Sequence, residues 1–357
     1  MNDGFAAIGR KDLQTARAYF AAARAQQGAN AVQWFELGQG YRHLGDLADA
    51  ESALRAALDQ APAHIEALEA LGDVLTRLGR DVEAAQFICQ AFVLRPAEGQ
   101  APKMRATAYY ILGRVEEAAA VYKAWLEREP DNATAAHLYA ACAGTTPPAR
   151  ASDAYLSATF DAFAGHFDRH LKQLDYQVPS VFERVMPTLA PPGRQWRIVD
   201  GGCGTGLLGP ILSPWASRLT GIDLSMAMLQ QAHTRGVYHD LVHAELTDEL
   251  ARHPASCELL CMADTLIYFG EVNALLKAAQ ASLTAGGLLL FSVELHNADA
   301  PHPYRLQPSG RYAHQAAYIA HSLAEAGIVV ESAEPITLRT ELGRAVAGMF
   351  YIARRPT

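Results

Sequence analysis

A fixed spacing of 34 residues governs the first part of this chain: it separates Gly45, Gly79 and Gly113, and again Pro62, Pro96 and Pro130. The same phase places Ala50, Ala84 and Ala118 five positions after each glycine, with the larger Leu54, Ile88 and Tyr122 four positions later. A period of this length marks a supersecondary unit that buries its apolar face only against copies of itself. Each glycine is placed to end one helix and each proline to follow the next, so the unit reads as helix–turn–helix. Within the first unit Trp34, Leu37 and Tyr41 recur at helical spacing, while Gly38 and Ala50 are small enough to let two helices approach closely.

Taken together, Trp34, Leu37, Gly38, Tyr41, Gly45, Ala50, Leu54, Ala57 and Pro62 resemble the tetratricopeptide repeat at nearly every signature position. The resemblance implies a concave surface for a peptide or protein partner; packing or dimerisation, giving a possible homodimer, is the alternative. Ala16, Phe20 and Ala23 fall in phase, which predicts that residues 10–28 are the second helix of a degenerate first unit. Asp131 to Ala143 is expected to cap the array. Pro102 and Arg105 occupy positions where the repeat wants bulky apolar residues, so the first helix of the third unit is the weakest part of the pattern. The expected first domain is 1–143.

Residues 144–152, GTTPPARAS, are rich in breakers and lack periodicity, and read as a linker. Beyond them, apolar runs of strand length alternate with helical segments, which implies an α/β domain with a mostly parallel sheet over 153–357. Expected strands are Trp196 to Val199, Arg218 to Ile222, a weaker one near Val237 to His243, Glu258 to Met262, and Leu288 to Val293. Two last runs, Ile328 to Leu338 and Ala345 to Ala353, suggest an antiparallel hairpin at a sheet edge. Residues 153–195 are expected to form a helical cover and 196–357 the Rossmann-like core.

Composition narrows the function. The chain has 357 residues, 50% of them hydrophobic and 19% charged, which excludes a wholly disordered protein. Its apolar stretches are interrupted by glycine or proline before reaching the length of a membrane helix, and MNDGFAAIGRKDL lacks the apolar core of a secretory signal. A cytoplasmic protein is expected. The net charge of −8 is spread over both halves, unlike that of a nucleic-acid binder. Five cysteines without a CxxC pair suggest neither disulfides nor zinc. His166 and His170 stand four apart with no third ligand, so no metal is expected.

The chemistry is carried by Asp200-Gly201-Gly202-Cys203-Gly204-Thr205-Gly206. A strand ending in an acid, followed by alternating glycines, lets the backbone pass close under an adenosine-like ligand. Asp223 follows the second strand, where a carboxylate can accept from both ribose hydroxyls. At these residues the chain resembles the class I S-adenosylmethionine-dependent methyltransferases, and bacterial enzymes fused to tetratricopeptide repeats in particular. Gly204-Thr205-Gly206-Leu207-Leu208-Gly209 also satisfies the dinucleotide pattern GxGxxG, a weak signal alone. Asp200 before the loop, the helical segment ahead of the first strand and the closing strand pair favour S-adenosylmethionine, with S-adenosylhomocysteine as product.

The resemblance assigns further positions. Phe160-Asp161-Ala162-Phe163-Ala164-Gly165-His166-Phe167-Asp168 is similar to a YDxxAxxYD helix that covers the cofactor, with phenylalanine for both tyrosines. It implies cofactor contacts from Asp200, Gly202, Cys203, Gly204, Gly206, Asp223, Leu224, Glu245, Leu246, Ala263, Asp264 and Phe167, with Glu245 facing the adenine amino group. Ser309-Gly310-Arg311-Tyr312-Ala313-His314 resembles a GRYxH segment of the repeat-fused enzymes. Candidate catalytic residues are therefore His314 as base, Arg311 to fix a substrate carboxylate, Tyr312 and His296. The expected activity is transfer of a methyl group to oxygen or nitrogen of a peptide, protein or carrier-linked acceptor recruited by the repeats. The alternatives are a small-molecule methyltransferase with the repeats used for assembly, and a non-catalytic adaptor.

Overall fold

The computed structural model describes residues 1–25, 28–144, 146–193 and 195–357. Gln26 and Gln27 of the expected degenerate unit, Thr145 of the expected linker and Arg194 of the expected cover lie outside the described residues. The chain divides into two compact units, Met1–Trp125 and Leu126–Thr357.

The first unit is built of antiparallel helix pairs: Asn2–Gly9 with Leu13–Arg24, Ala31–Leu44 with Leu47–Gln60, and Ile65–Arg77 with Asp81–Leu94, followed by Pro102–Ile111. Gly45, Gly79 and Gly113 all take positive φ (78°, 74° and 73°), the left-handed turn that closes a helix and that only glycine adopts without strain. The periodic small residues have a direct role: a Cβ on Gly38 would stand 2.6 Å from Leu54 Cγ, and one on Gly72 would stand 2.5 Å from Ile88 Cγ1. The degenerate first unit has both helices, and the buried ring of Phe20 seats on Gly4 and Gly40. Pro102 sits in the first turn of its helix, where its missing N–H costs nothing. Arg105 donates instead to the carbonyls of Arg95 at 3.1 Å and Val93 at 3.0 Å, satisfying the end of the preceding helix.

In the second unit the strands are β1 (Trp196–Gly201), β2 (Ala216–Asp223), β3 (Asp240–His243), β4 (Cys257–Met262), β5 (Leu283–Glu294), β6 (Tyr304–Leu306), β7 (Tyr312–His314), β8 (Val329–Glu341) and β9 (Arg344–Arg354). Seven form one sheet in the order β3-β2-β1-β4-β5-β9-β8. The first five run parallel, β9 lies antiparallel to β5, and β8 closes the edge, which is the expected Rossmann-like sheet with a terminal hairpin. Successive residues serve opposite faces: Leu259 and Leu290 pack under Phe182 and Met186 of helix Val178–Leu189, whereas Leu260 and Leu289 pack with Leu275 and Leu276 of helix Asn273–Ser282. β3 is shorter than expected. The small hairpin of β6 and β7 has no counterpart in the sequence-based reading. No helix among the described residues is long and apolar enough to cross a membrane.

The structure differs from the expected division at the linker. The Ala149 carbonyl accepts from Gly270 and Glu271, both at 2.8 Å, and the Ala151 amide donates to the Tyr268 carbonyl at 2.8 Å. Tyr312 donates from its hydroxyl to the Pro148 carbonyl at 2.8 Å. The helix Ala133–Ala143, expected to cap the repeats, also serves this unit: His137 Nε2 donates to the Gly310 carbonyl at 2.8 Å and its ring stacks on Tyr155 at 4.0 Å. Breaker-rich composition signals a segment without regular structure, and cannot tell a free linker from a strap held by its backbone.

A fragment beginning at Leu126 should therefore keep the stability of this unit, while one beginning at Arg150 loses four of these hydrogen bonds, those of His137, Pro148 and the two to Ala149, and the packing around them. At about 1 kcal/mol each, melting should fall by about 8–16 °C, measured by circular dichroism; equal melting points would show that the strap contributes nothing.

Candidate functional site

A cavity opens where the parallel strands end, and its floor is the loop after β1. Gly202 has φ 73°, and a Cβ there would stand 2.5 Å from Thr265 Oγ1, whose hydroxyl donates to the Gly201 carbonyl at 2.8 Å. Gly204 has φ 53° and faces open space, with Phe167 the nearest side chain to a notional Cβ at 3.8 Å. Gly206 does not line the cavity. A Cβ on Gly206, Gly209 or Gly221 would stand 2.8, 2.7 or 3.0 Å from the ring of Tyr238, so all three make room for that ring beneath the loop. Tyr238 in turn donates to Asp200 Oδ2 at 2.6 Å. Burial pushes the Asp200 carboxyl up to about 7, against the opposing pull of that hydrogen bond.

Asp223 closes the same floor. Its Oδ2 accepts from the Gly204 amide and its Oδ1 from the Ser225 amide, both at 2.8 Å, which fixes the carboxylate at the cavity wall with lone pairs to spare. Glu245 lines the cavity while capping helix Leu246–Arg252, its Oε2 accepting from the Asp248 amide at 2.8 Å. Leu224 and Leu246 stand beside them. Above, Phe160 and Phe167 form an aromatic wall with Tyr268, the rings of Phe160 and Tyr268 meeting edge to face at 5.4 Å. The acids of this cover segment fasten it in place. Asp161 accepts from Ser225 Oγ at 2.6 Å, and Asp168 from Thr205 Oγ1 at 2.5 Å and from Arg235.

On the other side of β1, past β4, the wall is charged. Asp264 takes φ 53°, uncommon outside glycine, and is held there by Ser292, whose hydroxyl accepts from the Asp264 amide and donates to its Oδ1. Arg339, 1% exposed on β8, donates to Asp264 Oδ2 at 3.2 Å, Glu341 Oε1 at 2.7 Å and Glu294 Oε2. Arg311 bonds Glu341 from the turn before β7.

Most of the residues assigned from sequence are brought together: Asp200, Gly202, Cys203, Gly204, Asp223, Leu224, Glu245, Leu246, Ala263, Asp264, Phe167 and Arg311 all line this cavity. His314, Tyr312 and His296 do not. His314 is wholly buried, its Nε2 donating to the Phe269 carbonyl at 2.7 Å, and burial brings its pKa down to about 4. Enclosed, it holds the Phe269 backbone and does not reach the cavity. Tyr312 is equally buried against Pro148, and His296 is half-buried outside the lining. Arg150, Tyr176, Tyr268 and Arg339 line the cavity without having been singled out from sequence. Only Arg339 left a trace, a lone cation in the apolar alternation of the Ile328 to Leu338 run and its continuation.

The donor set fits S-adenosylmethionine: a pinned carboxylate for the ribose, an aromatic wall suited to a sulfonium, and a glycine floor admitting the backbone. It fits a dinucleotide poorly, because Gly206 and Gly209 are spent on Tyr238 and the helix that follows, Gly209–Leu212, has four residues.

A Rossmann-like sheet with this floor defines a nucleoside-binding domain of the methyltransferase class. The comparisons agree: residues 169–327 match the family model of a methyltransferase domain, and residues 35–91, 89–133 and 103–143 match that of the tetratricopeptide repeat. The chain thus carries a methyltransferase-family domain preceded by tetratricopeptide repeats. It is 26% identical over 134 residues to a ubiquinone biosynthesis O-methyltransferase of Idiomarina loihiensis, covering 33% of this chain and 54% of that one. It is 24% identical over 139 residues to a malonyl-[acyl-carrier protein] O-methyltransferase of Salmonella typhimurium, covering 38% and 52%. The chain spans about half the length of these curated relatives. Among solved structures, an S-adenosylmethionine-dependent methyltransferase from Mesorhizobium loti aligns with TM-score 0.39 at 24% identity, over 48% of this chain and 96% of that one.

The raised carboxyl of Asp200 gives a pH prediction. Because the folded state holds its proton up to about pH 7 and the unfolded state only to about pH 4, this group's contribution to stability is greatest below pH 4 and falls as pH rises to 7. Asp200→Asn keeps an acceptor for Tyr238 and removes the titration. Thermal melts should find the variant equal to the parent near pH 4 and progressively more stable than it up to pH 8; a constant difference across that range would contradict the assignment.

Proposed function

We propose that the chain is an S-adenosylmethionine-dependent methyltransferase that transfers a methyl group to oxygen or nitrogen of a peptide, protein or carrier-linked acceptor recruited by its repeats. The observation that carries the reading is the cavity at the strand ends, with Asp223 pinned by the Gly204 and Ser225 amides at its wall. In this reading Asp223 takes the ribose, Glu245 and Leu246 face the adenine, and Gly202 to Gly204 underlie the nucleoside. Phe160 and Phe167 cover the sulfonium. The bound cofactor supplies an activated methyl carbon, so the protein's task is alignment and exclusion of water. Relatives named as O-methyltransferases, one of them a malonyl-[acyl-carrier protein] O-methyltransferase, support oxygen and a carrier-linked acceptor. The repeats support recruitment.

Calorimetry with S-adenosylmethionine, S-adenosylhomocysteine and NAD tests the cofactor. Both adenosyl ligands should bind, and Asp223→Ala should weaken them about tenfold or more through loss of charge-assisted hydrogen bonds; binding of NAD alone would refute the reading. For recruitment, residues 126–357 should bind S-adenosylhomocysteine like the full chain but turn over a carrier-linked acceptor poorly. Full turnover by that fragment would leave the repeats to assembly.

A further inference from the structure

We propose that the acceptor is a carboxylate, held by Arg311 and converted to a methyl ester. The proposal rests on the methyl-transfer reading above and concerns the side of the cavity across β1 from Asp223.

Two guanidiniums line that side, and they differ. Arg339 is enclosed and spends Nε, Nη1 and Nη2 on Glu341, Asp264 and Glu294. Arg311 is 24% exposed at its side chain and shares Glu341 with Arg339, with the Tyr268 hydroxyl also in reach. A guanidinium has five N–H donors in a planar fork matched to a carboxylate. Among the described residues no further partner of Arg311 is found, so part of its fork is available to the cavity.

The second observation is the lack of an unengaged proton acceptor beside Arg311, since Asp200, Asp223 and Glu245 lie on the nucleoside side of the cavity. The lining contains no histidine and no lysine. Asp264 is engaged by Ser292 and Arg339, and burial pushes the Tyr176 and Tyr268 hydroxyls up, so both keep their protons. An alcohol or an ammonium must lose a proton on methylation and would find no unengaged base beside Arg311. A carboxylate arrives ionised at neutral pH. Its oxygen forms a bond to the methyl carbon of the cofactor as the carbon–sulfur bond breaks and the electron pair stays on sulfur. The products are the ester and S-adenosylhomocysteine, and no proton moves.

The groups facing Arg311 are Glu341, Glu294, Asp264, Arg339, Tyr268 and, from the cover helix Phe167–Gln173, His170. His170 is outside the lining, and it is the imidazole whose pKa burial and the Arg311 cation lower, so it is the one to remove in the test.

The full chain saturated with S-adenosylhomocysteine is titrated with benzoate, benzyl alcohol and benzylamine. Benzoate should bind at least about tenfold tighter than either analogue, with affinity flat from pH 6 to 9 and unchanged in His170→Ala. Arg311→Gln should weaken benzoate about tenfold or more while S-adenosylhomocysteine binds as in the parent, which also reports folding, and Arg311→Lys should fall between. No preference for benzoate, an indifferent Arg311→Gln, or a pH dependence lost in His170→Ala would overturn the proposal. An equal loss of S-adenosylhomocysteine would assign Arg311 to the cofactor's own carboxylate and overturn it too. Failure of the parent to bind S-adenosylhomocysteine would overturn the methyltransferase reading itself.

Discussion

The floor of the cavity depends on one buried contact, the hydroxyl of Tyr238 donating to Asp200. Asp200 lies one residue before the end of β1 and is buried, where an unpartnered carboxyl would be costly. Meeting it from below requires an aromatic ring beneath the loop, and three glycines without side chains provide the room. The turn after β1, its approach to Asp223 and the cavity above are arranged around that ring.

This contact also explains why the loop is ambiguous as a sequence pattern. Alternating glycines report that a backbone must be approached closely, without saying by what. Gly204 faces the open cavity and Gly202 makes room for Thr265, whereas Gly206 and Gly209 are approached from below by Tyr238. A dinucleotide fingerprint spends its last glycines on a helix and a pyrophosphate, and here they are spent on packing.

The repeats and the sheet were legible because their periodicities are local and redundant: a 34-residue phase survives the substitution of Arg105, and buried parallel strands are read as apolar runs. Cofactor residues next to strand ends were legible for the same reason. What escaped is non-local. Arg150 reaches the cavity because backbone hydrogen bonds hold residues 149–151 to 268–271, and Arg339 because β8 carries it into a cluster with residues from β5 and the end of β4. His314 was misplaced by the opposite error. A histidine in a polar segment looks available, but tertiary packing consumes it in a bond to the Phe269 carbonyl.

The strap has a consequence for how such proteins are assembled over evolutionary time. If methyltransferase and repeat modules are exchanged between genes, the exchange must respect hydrogen bonds rather than composition. The helix Ala133–Ala143 matches the repeat family in sequence, yet its His137 holds the turn that presents Arg311. A crossover within 144–152 would separate that histidine from Gly310, whereas one near Leu126 would carry both together. The repeat match at 133–143 thus extends over a helix whose His137 is bonded within the second unit, so the boundary by sequence pattern and the boundary by hydrogen bonding fall at different places.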